Sequence, residues 1–304
     1  MNKCPRRYDF KRQLGNLISP VVRNRFHTNQ NKEARDETVV FNQKGGVGKS
    51  SITCNLAAIS AEQGLRTLVV DLDVQGNSSY YLGLDIHAAN VPSPEANIAQ
   101  LLRQSASTWF ASASPALSFV RETPFKNLDL LSASPLLAQI AVELEARYKI
   151  YKLREVLDEL NQHYDRIYID TPPNFNFFSK TALIAADRVI IPYDCDSFSK
   201  QGLNQLLENL VDLKQDHNPN LIIEGVVINN YTPQARLPNA LIEQLKNEAL
   251  PVLATYLNSS IKMKESHYAC KPLIYFARSH KLTGQFKALF DELEAASEVK
   301  STRV

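Results

Sequence analysis

Two lysines, three glycines and a serine crowd one short stretch, Lys44-Gly45-Gly46-Val47-Gly48-Lys49-Ser50, and residues of these types can hold a phosphate chain. Successive backbone N–H groups of a Gly-rich turn, backed by a helix N-terminus, form an anion cradle. Glycine is needed because side chains would block the phosphates and because some positions require positive φ. Lys49 would reach the β- and γ-phosphates, and the Ser50 hydroxyl would bind Mg2+. Ser51, in the same helical turn, is counted with the cradle. Gln43 stands where the strict pattern G-x-x-x-x-G-K-[ST] has its first glycine, so the motif is a variant.

Three carboxylates form a second group. Asp71, Asp73 and Asp170 end or follow apolar runs, which puts them at strand C-termini. A polar residue at a strand end needs no function. In open α/β sheets, however, ligands bind at the carboxyl ends of the strands. Phosphoryl transfer needs positioning and charge neutralisation more than covalent chemistry, so such a set beside a phosphate loop suffices.

These residues need a scaffold. From residue 38, apolar runs alternate with helical patterns. The expected strands are Thr38–Asn42, Thr67–Asp71, Leu128–Leu131, Arg166–Asp170, Arg188–Pro192, Leu221–Asn229, Val252–Leu257 and Leu273–Phe276. The expected helices are Ser51–Gln63, Pro135–Gln162, Lys200–Lys214, Ala235–Ala249 and Lys281–Ala296. Nearly continuous apolar strands with intervening helices read as βαβ units around a buried, mostly parallel sheet. Right-handed crossovers then give a doubly wound α/β fold. Residues 91–127, rich in Pro, Ser and Ala, read as an insertion or mobile loop region.

The chain has 304 residues, enough for one large domain or two ordinary ones. Hydrophobic residues make up 44% and charged residues 22%, as in ordinary globular proteins. The mean hydropathy is −0.25, and no apolar run reaches the roughly 18–20 residues of a membrane-spanning helix. An integral membrane protein is therefore not expected, and without an apolar signal core near Met1 neither is secretion. Cys4, Cys54, Cys195 and Cys270 lie far apart, with no C-x-x-C pair, so reduced thiols in a cytoplasmic protein are expected.

The net charge of +2 hides an asymmetry. Residues 1–37 hold nine basic and four acidic side chains, leaving 25 basic and 28 acidic groups in the rest. Residues 1–37 read as a basic extension, in which Phe10, Leu14, Leu17 and Ile18 follow a near-helical spacing that Pro20 stops. Two basic clusters stand out. One is Arg6, Arg7, Lys11, Arg12, Arg23 and Arg25, and the other is Lys262, Lys264, Lys271, Arg278 and Lys281. Each is either a solvated surface or a site for a polyanion.

The text NQKGGVGKS, with Lys44 five residues before Lys49, resembles the deviant Walker A motif of the ParA/MinD ATPases. VVDLDVQGN at 69–77 is similar to that family's D-x-D-P-Q-G-N motif, with Val74 replacing the proline. IYIDTPPN at 167–174 resembles its Walker B strand and following switch, and AADRVIIPYDCDSFSKQG at 185–202 resembles its next strand and helix. Asn258-Ser259-Ser260 stands where relatives often carry P-R-N. The resemblance implies a P-loop fold over 38–304, with ATP and Mg2+ as cofactors. It implies that Asp73 orients the attacking water, that Asp170 holds Mg2+ through a water, and that Asp71 supports Ser50 and the metal shell. It also implies that Lys44 crosses a dimer interface onto the partner's nucleotide, much as an arginine finger acts in trans. No N-K-x-D text of guanine specificity follows the late strand, so adenine is expected, with Asn229 or Asn230 against the base.

Four functions compete. The first is a ParA-type partition or cargo-positioning ATPase that dimerises with ATP and binds nonspecific DNA, and is therefore nucleoid-associated. An adaptor or centromere-binding partner would stimulate its weak hydrolysis. The second is a MinD-like membrane-cycling ATPase, which uses a basic amphipathic C-terminal helix. Here Asp291, Glu292, Glu294 and Glu298 make that helix acidic, and anionic lipid would repel it. The third is a metal-cluster carrier, opposed by the missing cysteine pair. The fourth is an amide-forming ATPase, for which no separate substrate domain is visible.

Overall fold

The computed structural model describes residues 36–87, 96–107, 114–195, 199–248 and 250–301. Among them, seven strands form one sheet: β1 Glu37–Val40, β2 Thr67–Asp71, β3 Arg121–Glu122, β4 Leu128–Leu131, β5 Arg166–Asp170, β6 Arg188–Asp194 and β7 Ile222–Asn229. Their order is β3-β4-β2-β5-β1-β6-β7, and only the short edge strand β3 runs antiparallel. The chain moves outward from β1 to one side through β2 and to the other through β6, as a doubly wound fold requires.

Successive strand residues point to opposite faces, and each face has its own helical layer. Val39, Phe41, Leu68 and Val70 pack with Leu137, Leu153, Phe177 and Leu203. These belong to α4 Leu137–Ala146, α5 Lys152–Leu160, α6 Phe177–Ala185 and α7 Ser199–Asp216. Val40 and Val69 pack on the other face against α1 Lys49–Glu62 and α11 Lys281–Ser301. The remaining helices are α2 Asn77–Tyr81, α3 Ile98–Ser107, α8 Arg236–Asn247, α9 Ile261–Tyr268 and α10 Leu273–Phe276, with a 3-10 turn at Ala116–Phe119.

Four expectations need correction. Val252–Leu257 is not a strand of the sheet but runs beside β7 through isolated bridges. Pro251 has no N–H to donate, and the Ala254 and Thr255 amides donate to the Glu292 carboxylate of α11 at 2.7 and 2.9 Å. Leu273–Phe276 is a helical turn, because Pro272 precedes it and the Leu273 amide is taken by Asn55 Oδ1 at 2.8 Å. Pro135–Gln162 is two helices. Tyr148 takes φ 55° after α4, and the Lys149 amide bonds back to the Leu144 carbonyl, a left-handed C-terminal cap. Within 91–127, the described part holds an ordered α3 with Ile98, Leu101 and Leu102 buried and Asn97 Oδ1 accepting from the Gln100 amide. The Phe10–Ile18 pattern and the first basic cluster lie outside the described residues.

Candidate active site

The phosphate loop is built by β1, α1 and the strand beside them. Beyond β1, Asn42 is buried and bonds in two directions. Its Nδ2 donates to the Pro192 carbonyl at 2.7 Å, and its Oδ1 accepts from the Lys44 amide at 2.9 Å. That pins the loop to β6. Gly46 and Gly48 take φ of 76° and 93°. A Cβ on Gly48 would also displace the Asn229 side-chain amide, while the positive φ is what favours glycine there. Gly48 offers no side-chain cap to α1, and no acidic residue lies in its first turn. The first-turn amides of α1 therefore have neither a side-chain cap nor a local carboxylate, which is the arrangement an anion cradle requires.

Lys49 is buried, and its Nζ donates to the Lys44 carbonyl at 3.0 Å across the loop. Burial lowers its pKa, while the negative charges of Asp170 and Asp73 oppose that shift. Lys44 and Gly45 are exposed on the loop's outer side, and Val47 is buried. The loop therefore buries one lysine and exposes the other.

Asp71 and Asp170 are register partners on β2 and β5, and both are fully buried. Burial raises both pKa values above the ordinary carboxylate range, helped by the charge of Asp170 at Asp71 and by that of Asp73 at Asp170. Asp71 accepts from the Ser79 amide and hydroxyl, both at 2.8 Å, and from the Asp73 amide at 3.1 Å. Its hydrogen bonds thus run to the 71–79 loop and none to Ser50, so it shapes the loop that carries Asp73. Asp170 Oδ2 accepts from the Ser78 hydroxyl at 2.7 Å, and the Ser50 hydroxyl also lowers its pKa. Asp170 Oδ1 is buried without a hydrogen-bond partner. An orphaned carboxylate oxygen beside a serine hydroxyl fits a hydrated Mg2+, which binds through one or two side chains plus phosphate. Among the described residues no group of three or more His, Cys, Asp or Glu side chains is set to hold a metal alone.

Asp73 starts a tight turn in which its Oδ1 accepts from the Gln75 amide at 3.0 Å and its carbonyl from the Gly76 amide at 2.9 Å. The turn forms without the family's proline, since Val74 packs on the core instead. The Asn174 amide donates to the Gln43 carbonyl at 2.9 Å, which ties the segment after β5 to the loop.

Asn229 Nδ2 donates to the Val47 carbonyl at 2.9 Å, so this side chain braces the loop. Asn230, at φ 53°, reaches the Asp194 carboxylate at 3.1 Å. The Ser51 hydroxyl shares a 3.0 Å hydrogen bond with His267 Nε2 on α9, so Ser51 offers the cradle its amide. Sequence reasoning missed His267, Tyr81 and Ser78. An isolated His, Tyr or Ser carries no spacing signal, and the contacts join residues far apart in the chain. The segment Asn258-Ser259-Ser260 lies beside this corner: the Ser259 amide donates to the Tyr231 carbonyl, and Ser260 Oγ caps α9.

The model of a family described as an AAA domain matches residues 37–223. The chain is 34% identical to the sporulation initiation inhibitor protein Soj of Bacillus subtilis (strain 168) over 240 residues, covering 78% of this chain and 89% of that protein. The chain belongs to the ParA/MinD family of ATPases. It is 30% identical over 266 residues to the chromosome partitioning protein ParA of Myxococcus xanthus (strain DK1622), covering 87% of this chain and 89% of that one. The structure superposes with a TM-score of 0.72 on cobyrinic acid a,c-diamide synthase from Mycobacterium smegmatis with a bound ATP analogue and magnesium, at 26% identity over 85% of this chain and 93% of that one. The chain is an ATP hydrolase.

Proposed function

We propose that this ATPase positions DNA or another cargo by cycling between an ATP-bound dimer on nonspecific DNA and a released state. The observation that carries the reading is the buried Lys49 facing Asp73 and Asp170 behind a loop whose other lysine, Lys44, is exposed. ATP would lie along the 44–51 amides, with Lys49 on its β- and γ-phosphates. Ser50 and Asp170 would hold Mg2+, which neutralises phosphate charge when bound. Asp73 would orient the attacking water, held by its own turn and by the bonds from Asp71. Lys44 would cross to the partner's nucleotide. Asn229 or Asn230 would meet the adenine.

In this reading residues 38–304 are one ATPase domain and 1–37 a basic extension. An adaptor or centromere-binding partner would stimulate weak intrinsic hydrolysis, and the ATP form would be nucleoid-associated. The Lys264, Lys271 and Lys281 side chains are exposed and offer DNA its phosphate contacts. Lys262 and Arg278 are already paired, with Glu265 and Glu62. The membrane-cycling alternative draws less support. Leu282, Phe286, Leu289 and Phe290 of α11 are buried in the core, so these apolar side chains of the helix are not available to lipid.

The test is titration of random-sequence duplex with ATP, with ADP and without nucleotide, alongside liposome flotation. DNA binding that requires ATP and ignores sequence is expected. ATP-dependent flotation without DNA binding would move the protein to the membrane-cycling class.

A further inference from the structure

α9 is tied to two nucleotide-facing elements by adjacent residues. His267 Nε2 shares its 3.0 Å hydrogen bond with Ser51, in the first turn of α1. Ser266 Oγ lies 2.8 Å from the hydroxyl of Tyr81, at the end of α2. The Tyr81 ring meets the His267 ring edge-on, with centroids 4.5 Å apart. Asn55 of α1 closes the corner: its Nδ2 donates to Tyr81 Oη at 3.2 Å and to the Ser51 carbonyl at 2.8 Å. The far end of α2 reaches the metal side of the site, where Ser78 donates to Asp170.

We propose that His267 is a positioning residue of the nucleotide site, and that the His267–Tyr81 pair makes α9 move with the nucleotide state. This rests on the reading of 44–51 as the ATP site. The cradle amides sit on the first turn of α1, and α2 follows directly on Asp73. A shift of one against the other breaks either the Ser51 contact or the Tyr81 contact unless α9 follows. Both contacts are directional, and Tyr81 and Ser266 are buried, so an unmade bond there costs more than one in water. α9 is short, starts at the Ser260 cap and ends before Cys270 at φ 48°, and it presents Ile261, Lys264 and Tyr268 to the outside. It is therefore a small, discrete element whose placement both sites can bias. Lys264, one of the exposed lysines offered to DNA, rides on it.

The experiment is hydrogen exchange on the full chain, read over residues 261–268 with a nonhydrolysable ATP analogue and Mg2+ against ADP and Mg2+, with analogue affinity measured in parallel. The wild type should exchange about five- to tenfold more slowly in the ATP-like state over α9. His267→Leu should weaken analogue affinity and abolish that difference. His267→Gln, which can still bond to Ser51, should restore both. Tyr81→Phe, which loses one hydroxyl and folds with the least risk, should reduce the α9 difference. An unchanged α9 difference in His267→Leu and Tyr81→Phe overturns the proposal, as does a wild type that binds the analogue tightly with no difference at α9. A wild type that binds no analogue at all overturns the ATP reading itself, and this inference with it.

Discussion

The two loop lysines carry opposite burdens. Lys49 is buried against the carboxylates, and Lys44 is exposed. Lys49→Ala should abolish binding of a fluorescent ATP analogue, because the phosphates lose their main side-chain charge. Lys44→Ala should leave ATP binding intact and reduce dimerisation and turnover. Asp73→Ala should bind ATP and stay dimeric without hydrolysis. Light scattering with ATP and Mg2+ separates the two, and a normally dimeric, active Lys44→Ala would remove the trans role of that lysine. Gly48→Ala should lower the unfolding free energy by about 1–3 kcal/mol, from positive-φ strain and displacement of Asn229, and should weaken ATP binding too. Thermal melts with and without nucleotide check both effects.

Among the elements, α9 carries the clearest pH signature. Burial lowers the His267 pKa below its ordinary value. A histidine kept neutral by the fold stabilises it fully above the unfolded-chain value of about 6.5 and loses that contribution as pH falls toward the folded value. The unfolded chain binds the extra proton, so unfolding free energy should drop as pH is lowered from about 7.5 to 5.5. Denaturant melts at both pH values should show a smaller drop in His267→Gln than in the wild type. The segment beside β7 is a second such case. Its Ala254 and Thr255 amides rely on Glu292, so Glu292→Ala should speed amide exchange at those two positions and leave the strand amides of β5 unchanged.

At the scale of the whole molecule, the end of the sheet opposite the site is clamped by charge. Arg188 pairs with Asp36 at 3.0 Å and Glu224 at 3.1 Å, and Arg166 pairs with Asp36 at 3.1 Å and Glu294 at 2.7 Å. This network fastens the start of β1, and therefore the junction with residues 1–35, to β5, β6, β7 and α11. Removing one partner of a buried pair leaves the other charge stranded, so Arg188→Met should destabilise the fold by about 3–5 kcal/mol in denaturant titration. DNA binding also belongs to this scale. Three exposed lysines per protomer make about six contacts in a dimer, and log affinity should fall against log salt with a slope of about −5. Deleting residues 1–35, which spares Asp36 and β1, should leave that slope unchanged if the lysines at 264, 271 and 281 carry the contacts, and should flatten it if the extension does.

The ATPase core is legible in the order of the residues alone. A Gly-rich turn between a buried strand and a helix has one physical use for its glycines and lysines, and it was readable because all its parts are local. The strands at 67–71, 128–131 and 166–170 were legible to the residue for the same reason: short apolar runs, β-branched at 67–71 and 166–170 and leucine-rich at 128–131, need a buried sheet. Leu273–Phe276 and Val252–Leu257 have strand-like residues too, but there the fold decided. Asn55 and Glu292, distant in sequence, take backbone amides that a ladder would have used. The same holds within the site. Spacing placed Asp71, Asp73 and Asp170 at strand ends, but only the packed structure shows that the bonds of Asp71 run to Ser79 and Asp73 while an oxygen of Asp170 is left for another partner. Ser51 reads as a phosphate residue from its position, and only the tertiary fold turns its hydroxyl to His267, 216 residues away. Local chemistry is written in the order of the residues. The partners of buried polar groups are chosen by which elements the folded core brings together, and hydrophobic burial decides that without regard to distance along the chain.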